Sequence, residues 1–208
     1  MSPVTPVTDI HESPISRWLF TDCPVRYSYW RQLNLPIPAR IGFELQPPVV
    51  IDVCAPGDVD VLVSNPEFPE RAVAFECKRI KVKPETFETI QPGKMQDLKK
   101  GVRQANGLLE LGFHQSYLFV CVQIDGRERH EYNFAGRGLS GPLVKAIYDS
   151  LKGLELLPSV GLLAAEVMQP VEKPIEDAGG VGIKVVRLAS QQTQPNAVTE
   201  WVRLHMAK

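Results

Sequence analysis

Two short strings carry side chains able to do chemistry together: Gly57-Asp58-Val59-Asp60 and Phe75-Glu76-Cys77-Lys78. Both lie in apolar, β-branched surroundings and read as strands. Side chains on a strand alternate faces, so Glu76 and Lys78 share one face, as do Asp58 and Asp60. Val59, Val61 and Val63, like Val73, Phe75 and Cys77, then turn toward a core. A hairpin centred on Phe68 sets Asp60 opposite Glu76, with Cβ atoms about 4.5–5.5 Å apart. Carboxylates that close repel unless a cation lies between them. Hard Mg2+ favours one or two carboxylates completed by waters and phosphate oxygens. Asp60, Glu76 and the backbone carbonyl of Cys77 are thus candidate ligands for Mg2+ or Mn2+. A cation there would polarise a scissile phosphate and acidify a bound water. Lys78 beside it would orient or deprotonate that water, or neutralise developing charge.

The elements that must position these groups are legible on either side. The aromatic and charged stretch 10–33 reads as one or two short helices broken near Pro24, and Leu35-Pro36-Ile37-Pro38 as an extended linker. Residues 41–45 read as a strand, 49–54 as a second, edge-like one behind Pro47-Pro48. The pattern predicts strands over 58–63 and 71–80, joined by a turn at 64–69. Residues 81–93 read as a loop. A helix over 94–112 follows, with Met95, Leu98, Val102, Ala105 and Leu109 in one apolar stripe. Residues 115–124 read as a strand buried inside a sheet. The glycine-rich stretch 125–141 reads as a loop, 142–151 as a short helix, 161–168 and 182–188 as strands, and 196–206 as a terminal helix.

The expected fold class is therefore α/β, with a mixed central β-sheet flanked by helices. The expected organisation is one domain over 1–208: a flexible tail at 1–9, a core at 40–124, and a C-terminal α/β extension at 125–208.

Acid, acid and lysine in this order resemble the PD-(D/E)XK nuclease superfamily. The resemblance covers roughly residues 40–124: Asp60, then Glu76-Cys77-Lys78, then a basic amphipathic helix and an apolar strand. It implies a restriction-endonuclease-like core, with Asp60 and Glu76 as metal ligands and Lys78 as the catalytic lysine. The Gly57-x-x-Asp60 spacing is similar as well. Relatives of this kind add an acid from the first helix or strand, for which Glu44 is the candidate, with Glu12 behind it. Some carry a Gln on the following helix, a role open to Gln104. Asp58 reads equally as a second acid and as a cap at the strand's entrance.

Composition narrows the function further. Net charge is −1, yet residues 78–103 hold eight basic residues against three acidic ones. Lys81, Lys83, Lys99, Lys100 and Arg103 are candidate phosphate contacts. The expected partner is nucleic acid, DNA before RNA, with a homodimer or larger complex left open. The four cysteines form no C-x-x-C pair, which argues against a zinc knuckle and for a reducing, cytoplasmic setting. No apolar run reaches the roughly 20 residues that span a bilayer. A solvated hairpin with a surface ion pair is the plain alternative for the trio; the facing acids and their apolar flanks argue against it. The expected activity is metal-dependent phosphodiester hydrolysis. The alternative is a nuclease-like, non-catalytic binding or assembly subunit of a nucleic-acid-processing complex.

Overall fold

The computed structural model describes residues 11–37, 39–49, 57–82, 92–125, 141–169 and 181–207. Eleven elements follow in chain order: α1 (Glu12–Thr21), α2 (Arg26–Gln32), β1 (Arg40–Leu45), β2 (Val59–Asn65), β3 (Phe68–Val82), α3 (Pro92–Glu110), β4 (Gln115–Asp125), α4 (Gly141–Lys152), β5 (Gly161–Gln169), β6 (Val181–Arg187) and α5 (Asn196–Met206). The strands form one six-stranded mixed sheet in sequential order. β1, β2 and β3 are antiparallel, β3, β4 and β5 parallel, and β6 returns antiparallel to β5. The strands of the expected C-terminal extension therefore continue the sheet that holds Glu76.

Each face of the sheet carries a helical layer because both faces are apolar. Ile15, Trp18, Leu19 and Phe20 of α1 and Tyr29 and Trp30 of α2 pack on Val61, Val73, Phe75, Phe119 and Leu163. Phe20 sits edge-on to Phe75 and Phe119, at centroid distances of 4.8 and 5.8 Å, the geometry the aromatic quadrupole favours. The other face meets α3 and α4 through Leu98, Val102, Ala105, Ile147 and Leu151, and α5 through Val198, Val202 and Met206. Burial on both sides gives β4 its unbroken apolar run, Leu118 to Val122.

The β2–β3 hairpin is tighter than the sequence suggested. The strands run up to Asn65 and from Phe68, and the register slips between Val63 and Asn65. That irregularity preserves the expected alignment: Val61 pairs Phe75 and Val63 pairs Val73, so Asp60 comes beside Glu76. The expected valine face holds at Val61 and Val63 and fails at Val59, which packs with Leu62 and Ala74 on the α5 side. The alternation breaks beyond Val61, where the β2–β3 pairing ends. Most of the strand expected over 49–54, the tail at 1–9, and Lys83 and Cys54 lie outside the described residues. Cys23, Cys77 and Cys121 are buried free thiols. Among the described residues no helix is long and apolar enough to cross a membrane.

Candidate active site

The site forms where β2 parts from β3. Were the ladder to continue past Val61, the N–H of Cys77 would meet a β2 carbonyl. Instead it donates to Asp60 Oδ2 at 2.7 Å. Two residues on, the N–H of Arg79 donates to Glu12 Oε2 at 2.6 Å. Two carboxylates thus take the place of a missing strand, which buried backbone donors require. Glu12 can do so because the apolar side of α1 is buried against Phe75 and Phe119, setting the first turn over Cys77 and Arg79.

Lys78 reaches into the same notch. Its ammonium lies 2.5 Å from Glu76 Oε1, 2.8 Å from the Cys77 carbonyl, 3.3 Å from Glu12 Oε1 and 3.9 Å from Asp60 Oδ2. Three carboxylates and a carbonyl thus surround one cation. The contact with Glu76 is the shortest of these, and Glu76 also interacts with the Asp60 side chain. Exposure is graded: the Glu76 side chain is 0% exposed, Lys78 10%, Asp60 24% and Glu12 38%. Glu76 therefore forms the floor and Asp60 and Glu12 the walls. A cleft of about 470 Å³ opens above, lined also by His11, Glu44 and Lys100.

Burial and crowding set the charges. Desolvation, then the neighbouring Asp60, pushes the Glu76 carboxyl up to about 8, against the pull of Lys78. Desolvation also raises Asp60, tempered by Lys78 and by the Cys77 N–H. Burial alone would lower Lys78; Glu76, Asp60 and Glu12 together more than offset it, and its ammonium is held charged well beyond the ordinary range.

Asp60, Glu76, Lys78 and Cys77 converge as the sequence pattern requires. The other candidates divide. Glu44 lines the cleft but is exposed, on a left-handed backbone turn of β1 at φ 52°. Asp58 is exposed before β2 and does not line the cleft. Gln104 packs its amide against Gly57, where an added Cβ would lie 2.5 Å from Nε2. Gln104 therefore supports the turn that delivers Asp60, with Oε1 buried and unpartnered. Lys100 lines the cleft, while Lys99 and Arg103 are exposed on α3. Lys81 is half-buried at the end of β3.

Glu12, ranked behind Glu44 in the sequence, is the acid that touches the lysine. Its signal is positional, an acid in the first turn of an amphipathic helix, and only the docking of α1 reveals its reach. Gly101 escapes sequence reasoning altogether. A Cβ there would lie 2.5 Å from Lys78 Cγ, and a glycine inside an apolar helical stripe is its available signal.

Among the described residues no group of three or more His, Cys, Asp and Glu side chains is spaced to enclose a metal ion. The donors at hand are two carboxylates, Asp60 and Glu76, and the Cys77 carbonyl. All are hard oxygens. A set this small suits a cation completed by water and phosphate rather than an all-protein cage.

No protein-family model matches the chain, and no curated protein does. Among solved structures it is similar to the SPO1766 protein of unknown function from Silicibacter pomeroyi. That likeness has 15% identity, covers 81% of this chain and 72% of the other, and has a TM-score of 0.35. A likeness that shallow carries no functional information.

Proposed function

We propose that the protein is a Mg2+- or Mn2+-dependent nuclease that hydrolyses phosphodiester bonds in nucleic acid, DNA before RNA, on a restriction-endonuclease-like core of the PD-(D/E)XK kind. The observation that carries this reading is the convergence of Asp60, Glu76, the Cys77 carbonyl and the Lys78 ammonium in one notch under an open cleft. The order of strand, basic helix and parallel strand in β3, α3 and β4 supports it.

Asp60, Glu76 and the Cys77 carbonyl would hold the metal. When bound, it supplies Lewis acidity at the phosphate and an activated water. The chain's own residues do the rest. Lys78 is a buried cation aimed between the acids, placed to orient the attacking water or to neutralise charge as the phosphorus becomes five-coordinate. Glu12 holds that ammonium from the open side. Lys100 at the rim, with Lys99 and Arg103 along α3, contacts backbone phosphates flanking the scissile one.

The test is cleavage of plasmid and single-stranded DNA by purified protein with Mg2+ or Mn2+. The wild type is expected to cut. Lys78→Ala and Asp60→Asn are expected to lose cleavage by about 10²-fold or more, the scale for removing one transition-state contact. Retained cutting in both variants overturns the assignment.

One observation favours the non-catalytic alternative, a binding or assembly subunit: the Lys78 ammonium already sits among the carboxylates and balances part of their charge. Calorimetry separates the two readings, because an assembly subunit is expected to bind neither Mg2+ nor Mn2+.

A further inference from the structure

We propose that Gly101 is the positioning residue for Lys78: the empty space at its Cα lets the lysine stem lie against α3 and aim the ammonium at Glu76. The inference rests on the nuclease reading and deepens it.

Gly101 sits inside α3, where glycine costs about 1 kcal/mol relative to alanine. It is buried against the sheet, so its reason is packing. A Cβ at this position would lie 2.5 Å from Lys78 Cγ, 3.2 Å from Lys78 Cδ and 3.2 Å from Leu118 Cδ1. The first distance is shorter than any real Cβ contact. The colliding atom is the middle of the stem, not a mobile tip, so the side chain cannot absorb the clash locally. Leu118 is fully buried beside it and closes the way sideways. At the far end the ammonium is fixed by Glu76 at 2.5 Å and by the Cys77 carbonyl at 2.8 Å. A stem displaced at Cγ therefore carries the ammonium off its partners. Misplacement by about 1 Å is enough to cost a reaction on the order of 10²-fold.

Three α3 positions act as one template. Leu98 packs into the core, Gly101 admits the Lys78 stem, and Gln104 supports Gly57 ahead of Asp60. Each is one i,i+3 step from the next, so successive members of the row are neighbours on the helix surface. The helix after the Glu-x-Lys strand thus sets both the lysine and the strand that bears the first acid.

A four-protein cycle tests this: wild type, Gly101→Ala, Lys78→Ala, and both together. Each is measured for DNA cleavage, for Mn2+ affinity by calorimetry, and for thermal unfolding. Gly101→Ala is expected to lower kcat at least tenfold, with KM within twofold of wild type and Mn2+ affinity equal to or tighter than wild type. In the Lys78→Ala background the same change is expected to leave the residual rate unaltered and the melting temperature equal or higher, since no stem remains to meet the new methyl. If Gly101→Ala alone fails to fold, folding of the double variant supports the proposal, and failure of both overturns it. Wild-type kcat in Gly101→Ala, or an equal loss in the Lys78→Ala background, also overturns it. A wild type that does not cut DNA sinks the nuclease reading instead, a result distinct from either.

Discussion

Asp60 accepts the backbone N–H of Cys77, the residue between Glu76 and Lys78, at 2.7 Å. One carboxylate thus completes the sheet and faces the candidate metal position, and substitutions separate the two roles. Asp60→Asn keeps an oxygen for the N–H and is expected to fold like the wild type while losing cleavage. Asp60→Ala leaves the donor unpaired and is expected to lose about 1–3 kcal/mol in addition. Urea unfolding of both variants, beside a cleavage assay, checks the split.

Lys78 offers a test in which affinity and activity move in opposite directions. Its ammonium neutralises part of the charge of Glu76, Asp60 and Glu12. Lys78→Met removes that cation while keeping most of the stem's volume. The prediction is tighter Mn2+ binding, by about tenfold, with cleavage abolished. Without metal, and above pH 8 where Glu76 is ionised, the variant is expected to be destabilised by about 3–5 kcal/mol, as when one member of a buried ion pair is removed. Weaker Mn2+ binding in Lys78→Met would mean that the carboxylates do not form the cation site.

The pH dependence of stability follows from Glu76. Its folded value, about 8, lies above its ordinary value of 4.5. A carboxyl raised on folding contributes stability that is fully present below the lower value and lost as pH rises through the upper one. Metal-free protein is therefore expected to lose on the order of 2 kcal/mol between pH 6 and pH 8. Glu76→Gln, which cannot ionise, should show little of this slope. Metal binding below pH 8 is expected to release a proton, read as a dependence of the calorimetric heat on buffer ionisation enthalpy.

Glu12 ties α1 to the sheet through the Arg79 N–H at 2.6 Å. Glu12→Gln retains an acceptor, whereas Glu12→Ala retains none. The alanine variant is expected to be less stable by about 1 kcal/mol, a figure discounted because this side chain is partly exposed. Faster hydrogen exchange at the Arg79 amide in Glu12→Ala alone would locate the effect.

Lys99, Lys100 and Arg103 are expected to bind backbone phosphates rather than take part in the chemistry. Replacing all three by alanine should weaken DNA binding about equally for unrelated sequences. It should also reduce the slope of log affinity against log salt by about 0.7–0.9 for each phosphate no longer neutralised. An unchanged slope would remove α3 from the nucleic-acid interface.

Much of the arrangement was legible in the chain because it rests on period and spacing. Strand alternation put Glu76 and Lys78 on one face, and the centre of the hairpin put Asp60 opposite Glu76. The stripe Leu98, Val102 and Ala105 identified the buried side of α3, and 196–206 matched α5 at both ends. What stayed hidden depends on docking. Glu12 is 66 residues from Lys78 in sequence and meets it only because Ile15, Trp18 and Leu19 seat α1 on the sheet. The role of Gln104 against Gly57, and that of Gly101 against Lys78, are contacts between a helix and the edge of a strand that no periodicity encodes. The misplacement of Val59 reflects a local irregularity: Val59 still pairs Leu45 of β1, but Glu44 between Phe43 and Leu45 takes a left-handed backbone and β3 has already parted from β2.

The notch between β2 and β3 also constrains how such a protein would decay. If the nuclease reading holds and catalysis were abandoned over evolutionary time, Glu76 and Lys78 would be freer to leave together as an apolar pair, because among the described residues no backbone N–H bonds to either and the loss of Lys78 leaves unpaired only the Cys77 carbonyl, a cheaper orphan than an N–H. Positions 60 and 12 would not be free, because the amides of Cys77 and Arg79 still need acceptors there. Inactive descendants are therefore expected to drift to Asn at 60 and Gln at 12 while losing the Glu-x-Lys. Aligned sequences of distant relatives would reveal that asymmetry without any assay, and equal decay at all four positions would refute it.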